Sequence, residues 1–193
     1  MMNTKYEFTG ETKIVYGRTL RRIKAIVAIG VTVAPGDIGG WIENENNLSA
    51  SGDAWVYGDA RVSGDAMVYG NARVSGNAWV YGSAEVSDNA RVYGNAEVFG
   101  NAEVSGNASV SGNARVSDNA RVSGNATVCG NARVSVNAEV YGDAMVAGDA
   151  EVHGDAEVHG NAIVFGNAEV YGNTRVCGDA RVFGNADYMT FKS

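Results

Sequence analysis

From Gly52 the chain repeats every six residues (GDAWVY, GDARVS, GDAMVY, GNARVS, GNAWVY) and continues through 23 hexads to Met189. The first position is Gly in 20 of the 23, with Asp88, Asp118 and Val136 as exceptions. The third is Ala in 22, with Thr174 the exception, and the fifth is Val in 22, with Tyr188 replacing it. No hexad in the run carries an insertion. A period this short limits the chain to a repeat architecture, in which each unit buries its apolar side only by stacking on its neighbours.

Side-chain alternation sets the geometry. Ala and Val are two residues apart, so both point to one side of a short strand, and the residue between them points out. That outward residue varies freely: Trp55, Arg61, Met67, Arg73, Trp79, Glu85. Gly-Asn or Gly-Asp supplies the turn, because both residue types tolerate positive φ. Two weaker hexads, Gly40–Glu45 and Asn46–Ser51, precede the run in the same phase.

The pattern V-x-G-N-A-x is similar to the hexapeptide repeat of left-handed parallel β-helix proteins. The resemblance implies an all-β fold: a left-handed triangular prism of about 7–8 coils, three hexads to each coil of 18 residues. At about 4.8 Å per coil the prism is about 37 Å long. The segment Leu20–Tyr57 resembles the leading segment of YdcK-like proteins of enteric bacteria and their phages, a group labelled transferase-like from its fold. Three regions are expected: an N-terminal β cap over 1–45, the β-helix over 46–189 and a tail over 190–193. The cap covers unpaired strand edges, and Tyr188 and Met189 of the last hexad, with Phe191 of the tail, are candidates to fold over the last coil. If they do not, the ends are free to polymerise.

Composition narrows the function classes. The net charge is −7, and residues 52–189 carry eight Arg against 17 Asp and Glu. DNA of the prism's length would hold roughly 22 negative charges, so mimicry of DNA is a poor match, and nucleic-acid binding lacks clustered cations. Cys129 and Cys177 have no metal-type spacing and are expected as free thiols in a cytoplasmic protein. The apolar run Ala25–Ala34 is too short to span a bilayer and is expected as a buried β-strand, so no membrane association is expected.

An 18-residue coil stacks residues 18 apart. The second positions then form corner ladders of Asn, in which Asp never stacks on Asp. Met145, Ala147, Ile163, Phe165 and Phe183 gather into one apolar patch, a candidate subunit interface. The resemblance implies a homotrimer. Trp79, Tyr81 and Phe99 form an outward aromatic cluster, either cross-strand stacking or a binding surface.

Many proteins of the resembled fold are acyltransferases that use a His base, which makes His153 and His159 the enzyme candidates. Six residues apart, they sit on different corners, and no inserted loop accompanies them. A His-ligated zinc site needs three ligands and only two His exist. No cofactor or metal is expected. The function expected is a non-catalytic binding scaffold that engages a host protein or small ligand, with a phage or prophage counter-defence role suggested by the resemblance. A hexapeptide acyltransferase and a self-assembling rod are the alternatives.

Overall fold

The computed structural model describes residues 4–184. Tyr188, Met189 and Phe191, expected over the last coil, lie outside them. The described chain is a parallel β-solenoid of about eight coils. Three longer strands lead: β1 (Tyr6–Val15), β2 (Arg18–Ala25) and β3 (Ile38–Ile42). A 3-10 turn at Glu45–Asn47 follows. Each hexad then adds one short strand, from β4 (Trp55–Val56), β5 (Arg61–Val62) and β6 (Met67–Val68) to β25 (Arg181–Phe183).

These strands stack in three parallel sheets, each joining strands 18 residues apart. The first face starts at β4 and pairs Trp55 with Arg73. The second starts at β5 and pairs Arg61 with Trp79, and the third starts at β6 and pairs Met67 with Glu85. Backbone amides link each coil to the next, as in Arg61 N to Ala78 O (2.9 Å) and Ser63 N to Val80 O (3.0 Å). The Ala and Val positions fill the axis and are buried almost without exception. Each fully buried Val contributes about 1.5 kcal/mol.

The corners explain the glycines. Gly112 has φ +71°, and a Cβ there would lie 2.8 Å from Gly130 O in the next coil. Three residues take this position with side chains: Asp88 (φ 57°), Asp118 (φ 59°) and Val136 (φ 65°). Asp88 Oδ2 accepts a hydrogen bond from Gly106 N at 2.9 Å, and Asp118 Oδ2 accepts one from Val136 N at 3.2 Å. Val136 has no polar group with which to offset its left-handed backbone.

The Asn ladders run in one direction. Asn71 donates to Asn89 (3.0 Å), Asn89 to Asn107 (3.1 Å), Asn107 to Asn125 (2.9 Å) and Asn125 to Asp143 (2.8 Å). The other two corners end the same way, Asn131 donating to Asp149 and Asn137 to Asp155. A carboxylate only accepts, so these Asp residues terminate their ladders.

The N-terminal segment departs from expectation in three places. First, Ala25–Ala34 is not a buried strand. Strand β2 ends at Ala25, and the rest is a turn with one bridge between Ile29 and Val33. Ile29 and Val33 enter the core, but Val31 is 98% exposed. Gly30, at φ +55°, folds the run back on itself before it can pair.

Second, Trp55 is not a free outward residue. It is 1% exposed, because Tyr6 packs edge-on to it (6.3 Å between ring centroids) and Gly39 closes over it. A Cβ on Gly39 would lie 2.7 Å from Trp55 Cζ2. Third, the two leading hexads are out of phase. Ile42 pairs with Val62 and Leu48 with Val68, both 20 residues on. Ile and Leu overfill an Ala position, so both occupy Val positions, and the two extra residues fall between Leu48 and Trp55. Asn47, fully buried, holds this longer coil. Its Oδ1 accepts from the amides of Glu43 and Asn44, and its Nδ2 donates to Gly64 O and Ala66 O.

Two outcomes follow from this frame. Val136→Gly relieves a β-branched residue at positive φ and should stabilise the fold by about 1 kcal/mol in chemical denaturation. An unchanged or lower midpoint would contradict the strain. Lys5 is 4% exposed, and its Nζ donates to Ser49 O at 3.0 Å. Burial lowers its pKa to about 8, against the opposing pull of Asp53. Between about pH 8 and its ordinary value near 10.5, the unfolded chain therefore holds the proton that the folded chain has released, so stability rises with pH. Relative to Lys5→Met, the native protein should gain up to about 3 kcal/mol across that window. A pH-independent difference would contradict it.

Candidate functional site

The register turns the outward residues into three columns, one per face. On the second and third faces, four arginines each pair with a glutamate of an adjacent coil. Arg133 pairs with Glu151 (3.2 Å) and Arg115 with Glu97 (3.7 Å) on the second; Arg175 pairs with Glu157 (2.8 Å) and Arg121 with Glu103 (3.5 Å) on the third. Each exposed pair is worth less than about 1 kcal/mol. Their effect is to leave the arginines of these pairs with partners on their own face.

The aromatic candidates Trp79, Tyr81 and Phe99 are brought together on the second face. Trp79 and Tyr81 lie 4.3 Å apart, and Tyr81 stacks on Phe99 at 4.9 Å. The sequence reading missed Tyr16, which lies flat on Trp79 at 5.3 Å with an interplanar angle of 5°. Tyr16 (φ 47°) and Gly17 (φ 77°) form the tight turn between β1 and β2, and the hairpin tip reaches down this face. Lys13 and Arg22 sit over Trp41 at 4.2 and 4.9 Å, and Arg61 sits over Trp79 at 5.1 Å. Trp79 Nε1 donates to Ser63 Oγ at 3.1 Å. Burial first, then the Glu97 carboxylate, pushes the Tyr81 phenol up to about 12. The cluster therefore clips the hairpin to the solenoid and already uses much of its own surface. The Y-G turn between β1 and β2 was its only sequence signal.

The apolar candidates lie at the C-terminal end of the first face. Phe183 is 55% exposed, Phe165 48% and Met145 39%; Ile163 is half-buried. Phe165 and Phe183 meet edge to face at 6.3 Å. Ala147, by contrast, is buried and offers little surface.

The two histidines sit on separate corners. His153 Nε2 lies 2.8 Å from Glu169 Oε1, and its ring stacks on Tyr171 at 5.7 Å. His159 stacks on Tyr141 at 4.7 Å. Cys129 and Cys177 are free, and burial raises the pKa of Cys129. Among the described residues, no three His, Cys, Asp or Glu side chains are grouped so as to hold a metal, and no helix is long and apolar enough to cross a membrane. A groove of about 860 Å³ lies beside the longer leading coil, lined by Glu45, Ser49, Asp65, Met67 and Tyr69 among others.

The YdcK β-solenoid repeat family matches this chain in overlapping windows over residues 54–88 and again over 108–135. Curated proteins yield no match. The matched windows fall on coils whose 18-residue register is seen directly in the strand pairing. The chain is a β-solenoid built from repeats that resemble those of the YdcK type.

Proposed function

We propose that this protein is a non-catalytic binding scaffold that engages a protein partner through its first face. One observation carries the reading: a constant Ala/Val core holds freely varying outward residues in fixed columns, and towards the C-terminal end of the first face exposed Met145 and half-buried Ile163 lie in one column beside exposed Phe165 and Phe183 of the adjoining corner. Contiguous exposed apolar surface of this kind marks interaction sites. A host protein is the partner class that the phage-like resemblance suggests, in an accessory or counter-defence role. A homotrimer through the same patch is the arrangement implied by the resemblance to hexapeptide-repeat proteins.

A second reading has its own observation. The His153–Glu169 contact at 2.8 Å is the kind of imidazole–carboxylate pair that orients a general base. Acyl transfer lost on His153→Ala would favour it.

The primary reading is tested by native mass spectrometry of protein purified gently from a bacterial host. The wild type should carry additional mass, as a partner or as further subunits. Ile163→Asp and Phe165→Asp, at positions outside the core, should lose that mass with melting unchanged. Identical native masses in wild type and variants would overturn the first face as the contact surface.

A further inference from the structure

The first face differs from the other two in its charges. Its outward column contains Arg73, Arg91, Ser109, Thr127, Met145 and Ile163 in successive coils, and Arg181 follows. No Asp or Glu occurs in it. Among the described residues, Arg73, Arg91 and Arg181 form no ion pair, whereas Arg115, Arg121, Arg133 and Arg175 each pair with a glutamate one coil away. Nearby corner carboxylates are engaged elsewhere: Asp88 with Gly106 N, and Asp143 with Asn125. A protein with net charge −7 thus keeps two unpaired arginines, Arg73 and Arg91, at the N-terminal end of one face, and an apolar surface towards its C-terminal end that is followed by a third, Arg181.

A partner that covers the whole strip with apolar surface alone would desolvate Arg73 and Arg91 without compensation. The partner must bring carboxylates. A second copy is poorly equipped to do so. Its first face has none mid-column, and on its other faces Glu97, Glu103, Glu151 and Glu157 are held by its own arginines, Glu169 by His153 and Glu85 by Tyr69, which leaves Glu139 as the one unengaged mid-face carboxylate among the described residues, against two arginines. A nucleic acid matches the arginines but not Met145, Ile163 and Phe165, and it would meet the acidic body.

We propose that the first face is a docking strip for an extended acidic–apolar segment of another protein. The segment places carboxylates over Arg73 and Arg91 and apolar side chains over Met145 and Ile163. Arg73 and Arg91 are one coil apart, about 4.8 Å. Arg73 to Ile163 spans five coils, about 24 Å, which an extended chain covers in about seven residues. The charges steer and orient the segment, and the apolar end slows its release. This inference rests on the first face being the binding surface, and adds the partner's chemistry.

The test is a display library of random heptapeptides selected on the immobilised full-length chain, followed by fluorescence anisotropy of the enriched peptides. Enriched sequences should carry Asp or Glu at one end and Leu, Ile, Met or Phe at the other. Their affinity should fall at least tenfold in Arg73→Glu/Arg91→Glu and in Ile163→Asp, with circular dichroism melts unchanged, and should weaken with salt. Binding that survives the double charge reversal but not Ile163→Asp would overturn the acidic end while leaving the first face as the binding surface. No enrichment, preference for oligothymidine, or self-association that Ile163→Asp dissolves without any peptide enriched would overturn the proposal.

Discussion

Close backbone contact at the corners is the constraint on which the rest of the solenoid depends. A Cβ at Gly76, Gly112 or Gly130 would lie 2.8 Å from a carbonyl oxygen of the coil above, a separation that real side chains do not tolerate. Glycine there lets coils descend until every strand reaches its hydrogen-bonding distance and the axis closes around Ala and Val. The period of six is thus enforced at three corners per turn. It fixes which residues stack, and so which outward side chains become neighbours.

The exceptions show how tightly the corner is set. Asp88 and Asp118 keep the left-handed backbone and reach the amide 18 residues on, turning an unfavourable position into a coil-to-coil link. The terminating aspartates 143, 149 and 155 apply the same chemistry to the Asn columns, where the last amide donor meets a group that only accepts. Polar contacts here serve axial stacking, and the faces between corners remain free to carry function.

The regular part of this fold was legible because each hexad repeats the same local instruction. Ala54 and Val56 predict the burial of every later pair, and the columns follow from arithmetic. The leading segment was not legible, because its packing depends on contacts distant in sequence. Nothing near Trp55 announces that Tyr6 and Gly39 will cover it, and the apolar composition of Ala25–Ala34 conceals a fold-back at Gly30. The apparent phase of Gly40–Ser51 misled because Ile42 and Leu48 need Val-sized space, which shifts the coil by two residues. The candidate surfaces divide likewise. The Phe165–Phe183 patch and the Trp79–Tyr81–Phe99 cluster come directly from the register. The overlay of Tyr16 on Trp79 comes from the hairpin. The absence of carboxylates from the first-face column was present in the sequence all along, but means little until the ion pairs of the other two faces stand beside it.

The central claim, an 18-residue register throughout, is most directly measured by disulfide trapping to the native Cys129. In a Cys177→Ser background, Ser111→Cys places a second thiol one coil below Cys129, at a separation of about 4.8 Å that a disulfide spans. Ser105→Cys and Ser117→Cys place it on other corners, one six-residue side of the coil away, a span of up to about 20 Å. Mild oxidation followed by peptide mass mapping should cross-link residues 111 and 129 and leave the other two variants reduced. Equal cross-linking in all three, or none from residue 111, would contradict the stacking on which every column and both proposed surfaces rest.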